Sequence, residues 1–169
     1  INWSEDPAVL IENALSPAKV VSVDVDPEEK SAAVVVPDNV LFADGIGEKI
    51  RQNLLNKCNL HTILRLPAGI FYAPGVQTNV LFFTRGESDK DNTKETWIYD
   101  MRHQMRSFGK RNPLNNKDFE DFEKVFCVDD RSKRKETWNK EKNPNGRWRK
   151  FTIDEIIKSI DNSAIFIVL

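Results

Sequence analysis

Cysteine is nearly absent: Cys58 and Cys127 are the two in 169 residues, far apart and outside any Cys-x-x-Cys or Cys/His spacing. That excludes a structural zinc site and a disulfide framework, and two free thiols suit a reducing cytosol. Histidine is as scarce, with His61 and His103 alone. No window approaches 18 consecutive apolar residues, so no membrane span is expected. The first residues lack a basic stretch followed by an apolar one, so no secretory signal is read and a cytoplasmic protein is expected. Paired carboxylates, His-Glu-x-x-His, a P-loop and Gly-x-Ser-x-Gly are all missing, as are internal repeats and low-complexity tracts.

What is present suffices to fold. The chain is 40% hydrophobic and 9% aromatic, and its length fits one compact domain. The net charge of -1 hides an asymmetry. Nine acids face two bases over residues 1–45 (-7), and fifteen bases face eight acids over 101–150 (+7). Such a division reads as an acidic segment attached to one that could face nucleic acid.

Local patterns predict an α/β chain. Ser4-Glu5-Asp6-Pro7 opens a helix that Ser16-Pro17 closes. Lys19–Asp26 alternates valine with polar residues, and Ser31–Val36 follows a short turn, giving a β-hairpin. A helix is expected over Glu48–Cys58, then strands at Thr62–Leu66, Thr78–Thr84 and Trp97–Asp100. Phe119, Phe122, Val125 and Phe126 fall at helical spacing. Residues 129–150 read as a long exposed or disordered loop. A helix opened by Thr152 spans Phe151–Ile160, and Ile165–Leu169 could add an edge strand. We expect one mixed sheet with Val34–Val36, Thr62–Leu66 and Thr78–Thr84 central, the first two pairing in parallel across a helical crossover.

Three constellations could carry chemistry. Asp44-Gly-Ile-Gly-Glu-Lys49 precedes a helix and could cradle a phosphate, although Ile50 stands where a third glycine would; a tight loop into the helix is the simpler reading. Cys58 and His61 are close enough in sequence for a nucleophile pair, against the plainer reading of a packed thiol at a helix end. Lys110, Arg111, Arg131, Lys133, Arg134, Lys135, Arg147, Arg149 and Lys150, interleaved with Trp138 and Trp148, could hold phosphates and stack bases. The alternative for these is a solvated charged loop. No metal-binding cluster is read.

Two resemblances follow from particular stretches. Residues 34–86, from VVVPDNVLF through ILRLPAGIFYAPG to NVLFFTRG, resemble the modification subunit of type I restriction–modification systems, an adenine-N6 DNA methylase. The likeness continues through Trp97-Ile-Tyr-Asp-Met-Arg102, Ser107-Phe-Gly-Lys110 and Arg147-Trp-Arg-Lys-Phe151. It implies the C-terminal half of a Rossmann-like catalytic domain, with specificity and restriction subunits as partners and S-adenosylmethionine as the parent family's cofactor. The glycine turn that holds that cofactor, and the Asn-Pro-Pro-aromatic loop that grips a flipped adenine, have no counterpart here. Asn112-Pro113-Leu114 and Asn143-Pro144-Asn145 do not match and come too late in the order. No catalytic or cofactor residue carries over, and the chain is expected to be too short for an active enzyme.

Residues 1–38 resemble instead the transcription factor NusA, in WSEDPA, NALSPAKVVSV and the Val34–Asp38 strand end. That implies the start of a KH RNA-binding domain, whose Gly-x-x-Gly clamp is replaced by Gly47-Glu48-Lys49-Ile50. Val34–Asp38 fits both families and marks a seam. The reading is a chimera: a KH-like helix and hairpin over 1–38, a methylase-like α/β segment over 39–100 sharing its sheet, and a basic, partly irregular extension over 101–169. Three functions follow as alternatives: an inactive methylase fragment, a module binding DNA or RNA, or an artificial domain with no selected activity. Self-association through open sheet edges is the remaining partner expectation.

Overall fold

The computed structural model describes residues 22–26, 30–42, 45–70, 76–103, 105–126 and 130–162. The helix expected within Ser4–Leu15 and the strand expected at Ile165–Leu169 lie outside them. Six strands make one mixed sheet: β1 (Ser22–Asp26), β2 (Ser31–Pro37), β3 (Cys58–Arg65), β4 (Thr78–Arg85), β5 (Glu95–Asp100) and β6 (Trp148–Thr152), in the order β1-β2-β4-β3-β5-β6. Helices α1 (Asn39–Phe42) and α2 (Ile46–Lys57) join β2 to β3; α3 (Glu120–Phe126) and α4 (Ile153–Asn162) flank β6 in the chain. The mixed α/β class expected from the sequence is therefore found.

The hairpin forms as its alternation predicts, with Ser22 opposite Val35 and Asp26 opposite Ser31. The direct pairing of β2 with β3 does not form. They run parallel, but β4 lies between them, antiparallel to both. The reason is visible in β4 itself: its near-continuous apolar run feeds both faces, which is the signature of an inner strand. Leu81 and Phe83 enter one core, while Val80 and Phe82 pack on the other.

Helices α1, α2 and α4 cover one face through Val40, Leu41, Leu54, Leu55 and Ile156. The other face is aromatic and is closed by α3. Phe122 stacks on Trp148 at 5.5 Å and 10°, and Tyr99 lies 5.0 Å from Trp148. Helix α3 is prefaced by a 3-10 turn, Asn116–Phe119, that Asn115 and Asp118 close as a capping box. A second box opens α4, where Thr152 N donates to Glu155 Oε2 at 2.7 Å.

Residues 130–150 are mostly exposed, as their charge suggested, but they carry regular elements in place of a long loop. They hold a 3-10 turn, Arg131–Lys133, then a tight turn bridged between Asn139 and Asn143, then β6. Trp148 supplies the apolar area that anchors them, 1% exposed. Glu136 and Thr137 close the outer edge of β6 with their side chains. Thr137 Oγ1 accepts from the backbone N–H of Arg147 and of Trp148 at 3.0 Å, and Glu136 Oε1 from that of Lys150 at 2.8 Å. Edges blocked in this way cannot template another strand.

Candidate functional site

Strands β2, β3 and β5 run in one direction and end at one margin, where Pro37, Arg65 and Asp100 stand. Polar side chains gather there because each apolar strand ends in a charged residue or leads straight into one. Arg102, just past β5, uses its whole guanidinium. Nη1 and Nη2 grip the two Asp38 carboxylate oxygens at 2.7 and 2.6 Å, Nη2 also reaches Thr78 O at 2.9 Å, and Nε reaches Leu66 O at 3.0 Å. Asn79, fully buried in β4, donates to Asp38 Oδ1 at 2.8 Å. Behind this lies a second pair, Arg65 and Asp100, opposite each other in register and 3.5 Å apart.

Burial pushes Asp38 upward, but hydrogen bonding and charge from Arg102, with Asn79 and Arg65, outweigh it and hold the carboxyl below its ordinary value. Arg65 is lowered by burial, which Asp100 opposes. Buried charges of this kind persist only when paired and hydrogen-bonded. Thr78 Oγ1, whose own carbonyl Arg102 binds, is buried with no hydrogen-bond partner among the described residues. None of these residues was singled out from the sequence. The available signal was polar residues inside or just past buried strands: Arg65 after Ile63-Leu64, Asn79 before Val80-Leu81, Asp100 after Ile98-Tyr99.

The residues that were singled out fare unevenly. Gly45 adopts φ +65° ahead of α2, which glycine supplies without strain. Cys58 is fully buried in the helical core, while His61 sits in the bulge of β3, between Leu60 and Thr62, and meets Phe126 on the opposite face. They form no nucleophile pair. Arg134 Nη1 donates to Thr62 Oγ1 at 2.8 Å, and the same hydroxyl lies 2.8 Å from His61 Nδ1, in a hydrogen bond whose direction follows the imidazole tautomer. Burial, then the charges of Arg131 and Arg134, push His61 down to about 3.

The nine basic candidates divide. Arg134 is 6% exposed and turns inward, its Nε and Nη2 donating to the carbonyls of Val125 and Phe126 at 3.1 and 2.9 Å. Arg149 lies over Trp138 at 3.9 Å. Lys150 pairs with Glu95 at 3.3 Å, and Arg147 Nη1 meets Met105 Sδ at 2.6 Å. Burial lowers Arg131. Lys110, Arg111, Lys133 and Lys135 are exposed. Among the described residues no cluster suits a metal ion, and no helix is long and apolar enough to cross a membrane.

A mixed sheet covered on both faces, with polar residues gathered at the carboxyl ends of its parallel strands, defines an α/β domain. Its family is more specific. The chain matches the N-6 DNA Methylase family over residues 23–164 and belongs to it. It is 57% identical over 103 residues to the EcoKI methylase subunit of Escherichia coli K12, covering 58% of this chain and 20% of that one. To the StySJI methylase subunit of Salmonella typhimurium LT2 it is 45% identical over 159 residues, covering 79% and 30%. The solved EcoKI M protein superposes with a TM-score of 0.65 at 44% identity, covering 78% of this chain and 32% of that chain. The chain thus spans between a fifth and a third of these relatives. A separate likeness links 38 residues, 22% of the chain, to 10% of NusA from Halalkalibacterium halodurans at 58% identity.

Proposed function

We propose that these residues form the sheet-closing, carboxyl-side part of a type I modification subunit's adenine-N6 methylase domain, joined near Val34–Asp38 to a NusA KH-like segment. The observation that carries the methylase part is the family match across residues 23–164, which takes in every strand from β2 to β6 and most of β1; the 38-residue likeness to NusA supports the joined segment. The division into 1–38, 39–100 and 101–169 is part of the same reading, as are a cytoplasmic setting and DNA, specificity and restriction subunits as the whole protein's partners.

The 169 residues alone are proposed to be inactive. Adenine-N6 transfer needs a cofactor turn and a polar loop that receives the extruded base, and neither motif occurs in the sequence. S-adenosylmethionine would supply the methyl group; the residues here would support the sheet beneath it. Isothermal titration of the chain with S-adenosylmethionine tests this. No binding is expected, and micromolar affinity would overturn the proposal.

A second reading, a nucleic-acid-binding surface, is favoured by exposed Lys133 and Lys135 and by the Arg149–Trp138 stack. Anisotropy with labelled duplex and single strands across a salt series tests it. Phosphate contacts lose affinity steeply as salt rises, and a flat response would reject them.

A further inference from the structure

We infer that Arg102 is a positioning residue for the turn that follows β2, from Asp38 to Phe42. The sheet beneath has no need of such a clamp. β2 and β4 are already paired from Pro37 opposite Thr78 to Ser31 opposite Thr84, and β3 and β4 end with Arg65 opposite Asn79. The turn, which becomes α1 from Asn39, is held by the burial of Val40 and Leu41 and by Asn79, which donates to Asp38 Oδ1 at 2.8 Å. Its backbone is tied by Asp38 N to Gln77 O at 3.0 Å and by Leu41 N to Asp38 O at 2.9 Å, and Arg51 reaches Val40 O at 3.0 Å.

Arg102 adds what these lack, a rigid link from the turn to three other segments. One guanidinium joins Asp38 after β2, Leu66 after β3 and Thr78 at the start of β4, and its own backbone N–H binds Asp100 Oδ1 at 2.7 Å. The planar fork fixes angle as well as distance, which an ammonium group cannot do. Ligands of open α/β sheets bind outside the carboxyl ends of the strands, so the position of this turn sets the shape of that margin. The inference holds whichever ligand the margin takes, and it stands apart from the methylase reading.

Hydrogen exchange read by mass spectrometry on the full chain tests it, comparing the wild type with Arg102→Lys and Asp38→Asn. Lysine keeps the charge but cannot bind the carboxylate and both carbonyls together. Asparagine keeps one acceptor and removes the charge. In both variants the amides of Asp38 and Leu41 should exchange about ten- to a hundredfold faster, the loss expected for charge-assisted hydrogen bonds. Amides of β3 and β5 should stay at their wild-type rates. Equal acceleration across the whole sheet would make Arg102 a general stabiliser and overturn the inference. Unchanged rates in the turn would overturn it as well.

Discussion

Arg134 and Thr62 lie 72 positions apart in the chain and are joined by one bond, Nη1 to Oγ1 at 2.8 Å. The rest of that guanidinium holds the last carbonyls of α3, where a cation also complements the helix dipole. The aromatic face is thus locked to β3 by a charge that the sequence suggests belongs to solvent.

Replacing Arg134 with methionine should therefore destabilise the protein by about 2–4 kcal/mol, since Thr62 and two carbonyls lose a charged donor. Lysine should recover only part of this, because it cannot span the three acceptors. Thermal unfolding followed by circular dichroism measures both. A change in Arg134→Met no larger than that of an exposed-lysine control, such as Lys133→Met, would show that the lock carries no load.

His61 sets a pH dependence. Its folded-state value of about 3 lies below the ordinary 6.5, so between those values the unfolded chain binds the extra proton. Stability is then greatest above pH 6.5 and falls steadily as pH drops toward 3, at up to about 1.4 kcal/mol per unit. Denaturant melts at pH 7 and pH 5 should differ in the wild type, and the difference should shrink in His61→Gln. The Asp38 carboxylate adds its own loss, but only below about pH 4.

Gly146 is sterically forced. A Cβ there would lie 2.0 Å from the carbonyl oxygen of Thr137, which is backbone and cannot rotate aside. Gly146→Ala should cost about 1–3 kcal/mol through displaced backbone and loosen the turn that seats Thr137 on β6. Unfolding melts of the variant, with Gly109→Ala as the comparison where a Cβ meets nothing within 4 Å, separate sterics from glycine loss in general.

The sheet margins of the described residues give a prediction for the oligomeric state. β6 is sealed by Glu136 and Thr137, and β1 at the other margin carries Asp24 and Asp26. Pairing two such strands would set like charges opposite one another. Light scattering on a size-exclusion column should give a monomer at neutral pH, and Asp24→Val with Asp26→Val should shift it toward dimer.

Much of this architecture was legible from local pattern. The valine alternation marked the hairpin, the apolar run at Thr78 marked a buried strand, and Thr152 marked the start of α4. The place of β4 was not legible, because strand order is decided by which face each neighbour can bury and not by any one segment. β6 was hidden for a different reason. It is short, and Arg149 and Lys150 separate the two residues that commit it to the cores, buried Trp148 and half-buried Phe151. The polar margin was missed because its members are distant in sequence and ordinary one at a time. Asp38 and Arg102 become a pair only once β2 and β5, separated by two strands, end at the same margin of the sheet.

The aromatic face has an optical consequence. Trp97 and Trp148 lie edge to face with their centroids 6.3 Å apart, close enough for their transitions to couple. They come from β5 and β6, and Trp148 carries Phe122 of α3 against it. The near-ultraviolet signal of this pair should vanish if β6 and α3 lift away, even with the other strands intact. The protein therefore contains its own label for the docking of its C-terminal third, readable without any added dye.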